Sequence, residues 1–214
     1  MINKYDYFLF DWDGCLAKTL EVWLYAHKAA YIEFGANPTD QEVISHFGNW
    51  QAAKLFGIDD VNGCIARTKE LVNEQLQQVE LYAGAADLLH YLKSKNKKLA
   101  LLSSSHKQAL LWGIEHNHLE GVFDFILSAD DVVQHKPHPE IIEKALAQFG
   151  ADGISAIMIG DSSKDIEAAN NAGIASALMY PKSHELFYDF EQLKSYNPTY
   201  IFSRFAEFSK ELKK

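Results

Sequence analysis

The chain has 214 residues, 48% hydrophobic and 13% aromatic, enough to bury a core in one domain with an insertion or in two small domains. Its 20 basic and 29 acidic side chains give a formal charge of −9, which argues against nucleic acid or an anionic membrane as the main partner. The opening residues 1–7 (M-I-N-K-Y-D-Y) are too polar for a secretory leader, no stretch approaches the roughly 20 apolar residues of a membrane span, and Cys15 and Cys64 lack metal-ligand spacing. A soluble protein of a reducing cytoplasm is expected.

In chain order, a buried strand is expected over Tyr7–Phe10, followed by a helix over Leu20–Phe34 that stops at Gly35. Pro38-Thr39-Asp40 opens a further helix reaching Phe47. Gly48 marks a break before a helical segment over Gln51–Phe56, and Asp59–Val79 reads as one long helix. No strand is expected between Leu16 and Leu81. Thereafter the pattern alternates: helix Ala85–Lys95, strand Lys98–Leu102, helix Lys107–His116, strand Phe123–Leu127 and helix Pro139–Phe149. Strand Ala156–Ile159, helix Ser163–Ala172, strand Ile174–Met179, a short strand over Tyr200–Phe202 and a closing helix complete it. The fold class is α/β: a Rossmann-like parallel sheet sandwiched by helices and joined by right-handed crossovers, with an inserted all-α segment.

Four segments carry chemistry. The first strand stops at Asp11-Trp12-Asp13-Gly14, two carboxylates and a flexible residue at the carboxyl edge of a sheet, where open α/β folds place ligands. Two anions so close repel unless a proton or cation lies between them. Leu99–Leu102 ends in the hydroxyls Ser103-Ser104-Ser105, Lys136 sits in the stiff stretch H-K-P-H-P, and Ala156–Ile159 ends in Gly160-Asp161, with Asp165 one helical turn further on. Each alone also reads as a turn, a helix cap or a surface loop. The ordered set is far more specific.

With these four segments in order, the chain resembles the haloacid dehalogenase (HAD) superfamily, in particular its phosphoglycolate phosphatase and β-phosphoglucomutase-like branch. Asp11-Trp12-Asp13-Gly14 matches the first motif, Ser103 the second, Lys136 the third and Gly160–Asp165 the fourth. Cys15 departs from the Thr or Val usual after the glycine. The resemblance implies a core domain of residues 1–16 and 81–214 and a helical cap domain of residues 17–80.

It further implies a Mg²⁺-dependent phosphatase acting on a small phosphorylated metabolite, phosphoglycolate being one candidate. Asp11 would be the nucleophile that forms an aspartyl-phosphate, and Asp13 the general acid and base. Ser103 and Lys136 would bind the phosphate and belong to the catalytic set, helped by main-chain amides beside Trp12 and Ser104. Mg²⁺ would be held by Asp11, the Asp13 main-chain carbonyl and Asp161, with Asp165 orienting Lys136 or a metal-bound water. A dehalogenase is disfavoured, because that branch lacks the second acid. A sugar-phosphate mutase of the β-phosphoglucomutase type shares both aspartates and the cap, and a non-catalytic phosphate-binding module on the same fold is a third reading.

Overall fold

The computed structural model describes residues 2–47 and 49–213. They form two compact units, one of residues 2–18 and 80–213 and the other of residues 19–79.

The larger unit holds a six-stranded parallel sheet of β1 (Tyr7–Phe10), β2 (Lys98–Leu102), β3 (Phe125–Leu127), β4 (Ala156–Gly160), β5 (Ala175–Met179) and β6 (Tyr200–Phe202). The strand order is β3-β2-β1-β4-β5-β6. β1 lies between β2 and β4, with Phe10 opposite Leu101 on one side and Ile159 on the other. The order reverses between β1 and β4, and such a switch point leaves a crevice beyond the carboxyl ends of the two strands.

The strands are apolar throughout because both faces are covered. Leu9, Ala100 and Met158 pack one face against Ile141, Ile142 and Ala145 of α6 (Glu140–Phe149) and Ala168 and Ala169 of α7 (Ser163–Asn171). Alternation sends Phe8 and Phe10, both fully buried, to the other face. The helices on that side are α4 (Ala85–Ser94), with buried Leu88, Leu89 and Leu92, and α9 (Phe205–Leu212), which packs on α4. α5 (Lys107–His116) and the short α8 (Phe190–Ser195) complete the unit.

The smaller unit is helical: α1 (Leu20–Glu33), α2 (Asp40–Ile44), a 3₁₀ turn over Ala52–Phe56 and α3 (Val61–Leu76), with α1 packed along α3. His27 sits among Trp23, Tyr31, Phe47 and Trp50, and burial lowers its pKa to about 4. The chain leaves and re-enters the larger unit as a paired ribbon. Ala17 bridges Leu81, the Lys18 amide donates to the Glu80 carbonyl at 2.9 Å, and the Tyr82 amide donates to Leu16 at 2.9 Å.

Several boundaries differ from the sequence expectation, each for a local reason. β3 starts at Phe125, not Phe123, because the Asp124 carboxylate takes the Leu99 amide at 2.8 Å in place of a ladder bond. α3 begins after Asp60, whose side chain caps the Gly63 amide at 2.9 Å, and ends at Leu76 rather than Val79. α2 spans only Asp40–Ile44, started by a Thr39–Glu42 capping box. Residues 52–56 wind as a 3₁₀ helix ended by left-handed Gly57, and the expected break at Gly48 lies outside the described residues.

Candidate active site

Each of the four sequence segments ends on the carboxyl edge of the sheet or against it. Asp11 is the first residue beyond β1, its amide still bonded to the Ile159 carbonyl of β4 at 2.9 Å. The chain then folds back tightly: the Gly14 amide donates to the Ala17 carbonyl at 3.0 Å and the Ala17 amide to the Trp12 carbonyl at 2.9 Å. That turn holds residue 14 at φ 73°, a conformation suited to glycine. Asp161 follows β4 directly, on the opposite side of the switch point.

Lys136 reaches this edge from the β3–α6 connection. Its Nζ donates to Asp11 Oδ1 at 2.7 Å, Asp165 Oδ1 at 2.6 Å and the Leu102 carbonyl at 3.2 Å, so its three protons each have an acceptor. All three charged side chains are buried. Asp165 divides its carboxylate: Oδ1 holds Lys136, while Oδ2 accepts from the Ser162 amide at 3.2 Å and hydroxyl at 2.7 Å and so caps α7. One carboxylate thus contacts both the buried lysine and the first turn of α7. A Cβ on Gly160 would overlap the Asp165 side chain, which accounts for the glycine before Asp161.

Asp11, Asp161 and Asp165 bring carboxylate oxygens within 4.8 Å of one another. Against one lysine the balance is 1 − 3 = −2, an excess that favours a divalent cation or bound protons. Burial, with Asp165 and Asp13 nearby, pushes Asp11 up to about 8 despite the Lys136 charge. Burial raises Asp161 well above the usual carboxylate range, reinforced by Asp165 and Asp11. For Lys136, burial favours the neutral amine, but the Asp11 and Asp165 carboxylates outweigh it and keep the ammonium charged. Asp161 Oδ2 is buried with no hydrogen-bond partner. An orphaned carboxylate oxygen beside a second carboxylate, at a net charge of −2, fits a hard divalent cation held by oxygen ligands. The Asp13 carboxylate lies outside this cluster.

Asp13 is instead held by hydroxyls. Ser103 Oγ donates to Asp13 Oδ2 at 3.1 Å and Ser105 Oγ to the same oxygen at 2.7 Å, leaving Asp13 Oδ1 buried and unpartnered. Ser104, between them, is exposed. The Trp12 indole is buried, and a Cβ on Gly113 of α5 would run into its ring, so only the Trp12 main chain is available to a ligand. The Cys15 thiol is fully buried, faces the Ile159 carbonyl at 3.5 Å, and is kept protonated by burial and the neighbouring aspartates. His106 points to Asp130, with Nδ1 2.8 Å from Oδ1, and is exposed.

Two residues at the site escaped the sequence reading. Ser105 was legible in principle, since alternate residues of an extended segment share a side and Ser103 and Ser105 are two apart. Tyr188 was not, coming from an irregular stretch before α8. Its hydroxyl lies beside Asp161, and burial together with that acid pushes the phenol's pKa well up. The Tyr180 hydroxyl holds the Tyr188 carbonyl at 2.9 Å. Nearby, fully buried His184 places Nε2 2.9 Å from the Tyr82 hydroxyl, and burial lowers its pKa to about 4.

The family model for haloacid dehalogenase-like hydrolases matches residues 8–179. A pyrophosphatase PpaX from Bacillus pumilus (strain SAFR-032) is 30% identical over 173 residues, covering 79% of this chain and 80% of its own. A predicted phosphoglycolate phosphatase from Haemophilus somnus 129pt superposes with a TM-score of 0.85 at 21% identity, covering 97% of each chain. A Thermotoga maritima protein provisionally named β-phosphoglucomutase superposes at 0.81 and 23% identity, covering 97% of this chain and 98% of its own. With its match running from β1 through β5 and taking in all four segments at the sheet edge, the chain belongs to the haloacid dehalogenase-like hydrolase family.

Proposed function

We propose that this hydrolase cleaves phosphate from a small phosphorylated metabolite by way of an aspartyl-phosphate on Asp11. The observation that carries the reading is the buried lysine between Asp11 and Asp165, at a switch point where Asp161 leaves one oxygen unpartnered. Lys136 fixes Asp11 through Oδ1 and leaves Oδ2 to attack phosphorus, and its charge opposes the burial that raises the Asp11 pKa and lessens the repulsion between two anions. Asp13 protonates the leaving oxygen through Oδ1 and then takes a proton from the water that hydrolyses the acyl-phosphate. Ser103 and the main-chain amides beside Trp12 and Ser104 bind the phosphoryl oxygens. Ser103 has one hydroxyl proton, now on Asp13, so it must exchange that bond to serve the phosphate.

Asp11, the Asp13 main-chain carbonyl and Asp161 would hold the cation, Mg²⁺. When bound it supplies charge neutralisation for the phosphoryl oxygens. The inserted helical unit, by its position after the first motif, serves as a cap. Two buried free cysteines support a reducing cytoplasm as the working compartment.

The PpaX relative favours a second substrate, inorganic pyrophosphate, beside phosphoglycolate and other phosphomonoesters. Purified protein assayed for phosphate release from an aryl phosphate, phosphoglycolate and pyrophosphate, with acid-quench trapping of labelled enzyme, tests the reading. Turnover with a trapped phosphoenzyme supports it, and no release from any of the three refutes it. Isomerisation of a hexose 1-phosphate without net release would select the mutase instead.

A further inference from the structure

Asp13 has two oxygens in unequal surroundings, and the inequality has one source. Oδ2 accepts two hydroxyl bonds, from Ser105 at 2.7 Å and Ser103 at 3.1 Å, while Oδ1 is buried without a partner. An oxygen that already accepts two donors is a poor place for a proton, so the mobile proton belongs on Oδ1. The pattern suits both protonation states. Ionised, Asp13 accepts both hydroxyls on a charged oxygen; protonated on Oδ1, it accepts them on a carbonyl oxygen. Proton transfer at Oδ1 then leaves the Ser105 bond to Oδ2 in place, the sort of preorganisation that makes acid–base catalysis effective.

The two hydroxyls differ in how freely they can stay. Ser103 Oγ already accepts the Ser105 amide at 2.9 Å, and the proposed phosphate site calls on its single proton. Ser105 is pinned by its backbone on both sides, its amide on Ser103 Oγ and its carbonyl accepting the Ala129 amide at 3.0 Å. Its hydroxyl makes the shorter bond to Asp13. We infer that Ser105 is a positioning residue for the acid–base step, holding Asp13 Oδ2 through turnover so that Oδ1 is the oxygen that delivers and takes the proton. The inference rests on the reading of Asp13 as general acid and base.

The test compares Asp13→Asn, Ser105→Ala and Ser105→Thr on an aryl and an alkyl phosphate of similar size, with a thermal melt of each variant. A positioned general acid contributes roughly 10²–10⁴ in rate, so Ser105→Ala is expected to lose at least about tenfold more kcat on the alkyl than on the aryl substrate. KM should change little, and Ser105→Thr, which restores the hydroxyl, should recover most of the loss. Where Asp13→Asn discriminates between leaving groups but Ser105→Ala loses both rates equally, or neither, the positioning role is overturned while the Asp13 reading stands. Where Asp13→Asn itself shows no discrimination, the Asp13 reading fails and the inference with it.

Discussion

Asp165 holds Lys136 through a 2.6 Å ion pair in which both side chains are almost wholly removed from water. With Asp11 2.7 Å from the same ammonium, the lysine is, among the described residues, the one positive side chain paired inside a buried cluster of three acids. Removing one partner of such an arrangement leaves uncompensated buried charge. Lys136→Met should therefore lower unfolding stability by about 3–5 kcal/mol as well as abolishing turnover. Asp165→Asn should cost less, because an amide oxygen still accepts from Lys136, although its NH₂ cannot accept the two Ser162 bonds. Urea unfolding of the two variants checks the order, and equal losses would mean that the ion pair is not what Asp165 contributes.

Asp11→Asn should leave a folded protein with turnover below about a thousandth of wild type, as expected when a group acting as part of a unit is removed. The amide cannot attack phosphorus, so acid-quenched protein should carry no label from a phosphorylated substrate. Labelled Asp11→Asn, or activity well above that level in contaminant-free protein, would remove the nucleophile assignment.

Chelation should abolish phosphate release and Mg²⁺ should restore it. Asp161→Ala, which deletes the unpartnered oxygen, should weaken Mg²⁺ binding by at least about tenfold in calorimetric titration of the protein without substrate. Tyr188→Phe, which keeps the ring but not the hydroxyl beside Asp161, should weaken it less. Full activity in excess chelator, or unchanged binding by Asp161→Ala, would contradict the metal assignment.

His184 gives the protein an acid sensitivity that can be located. Burial holds its pKa at about 4, below the unfolded value near 6.5, so the unfolded chain binds a proton that the folded one refuses. The stability it confers is complete above pH 6.5 and is lost as pH falls towards 4. Between pH 7 and pH 5 that loss amounts to about 2 kcal/mol. His184→Gln does not titrate and should show a correspondingly flatter stability between those two pH values in urea melts. An identical slope in both proteins would assign the acid sensitivity to other groups.

The site was legible in the sequence where an apolar run stops abruptly at a polar residue, because a doubly covered strand has nowhere else to end. Asp11, Ser103 and Asp161 all announce themselves in this way, and the strand–helix alternation around them fixes the parallel sheet. Lys136 was legible through its prolines and its place in the motif order. What the sequence hid depends on contacts between distant segments. Ser105 looked like one more hydroxyl in a run, and the unequal use of the two Asp13 oxygens exists only once β2 lies beside β1. His184 lies in a single 3₁₀ turn over Lys182–Leu186 and Tyr188 just beyond it, too short a segment for periodicity to show. α8 was missed although Asp189 caps the Gln192 amide at 2.7 Å, a signal short enough to pass for a turn. The truncated start of β3 reflects a side chain substituting for backbone, which residue patterns do not distinguish from a longer strand.

Trp12 and Gly113 illustrate a different kind of dependence, one that would be written in variation rather than in rate. The indole occupies the space where a side chain at position 113 would begin, so the loop after β1 and the middle of α5 share a single volume. Randomising position 113 alone should return glycine from a selection for folded protein. Randomising positions 12 and 113 together should return compensated pairs, the ring shrinking as the helix residue grows. A large residue inside the first motif thus makes a helix glycine, remote in sequence and without any polar group, answerable to the active-site loop.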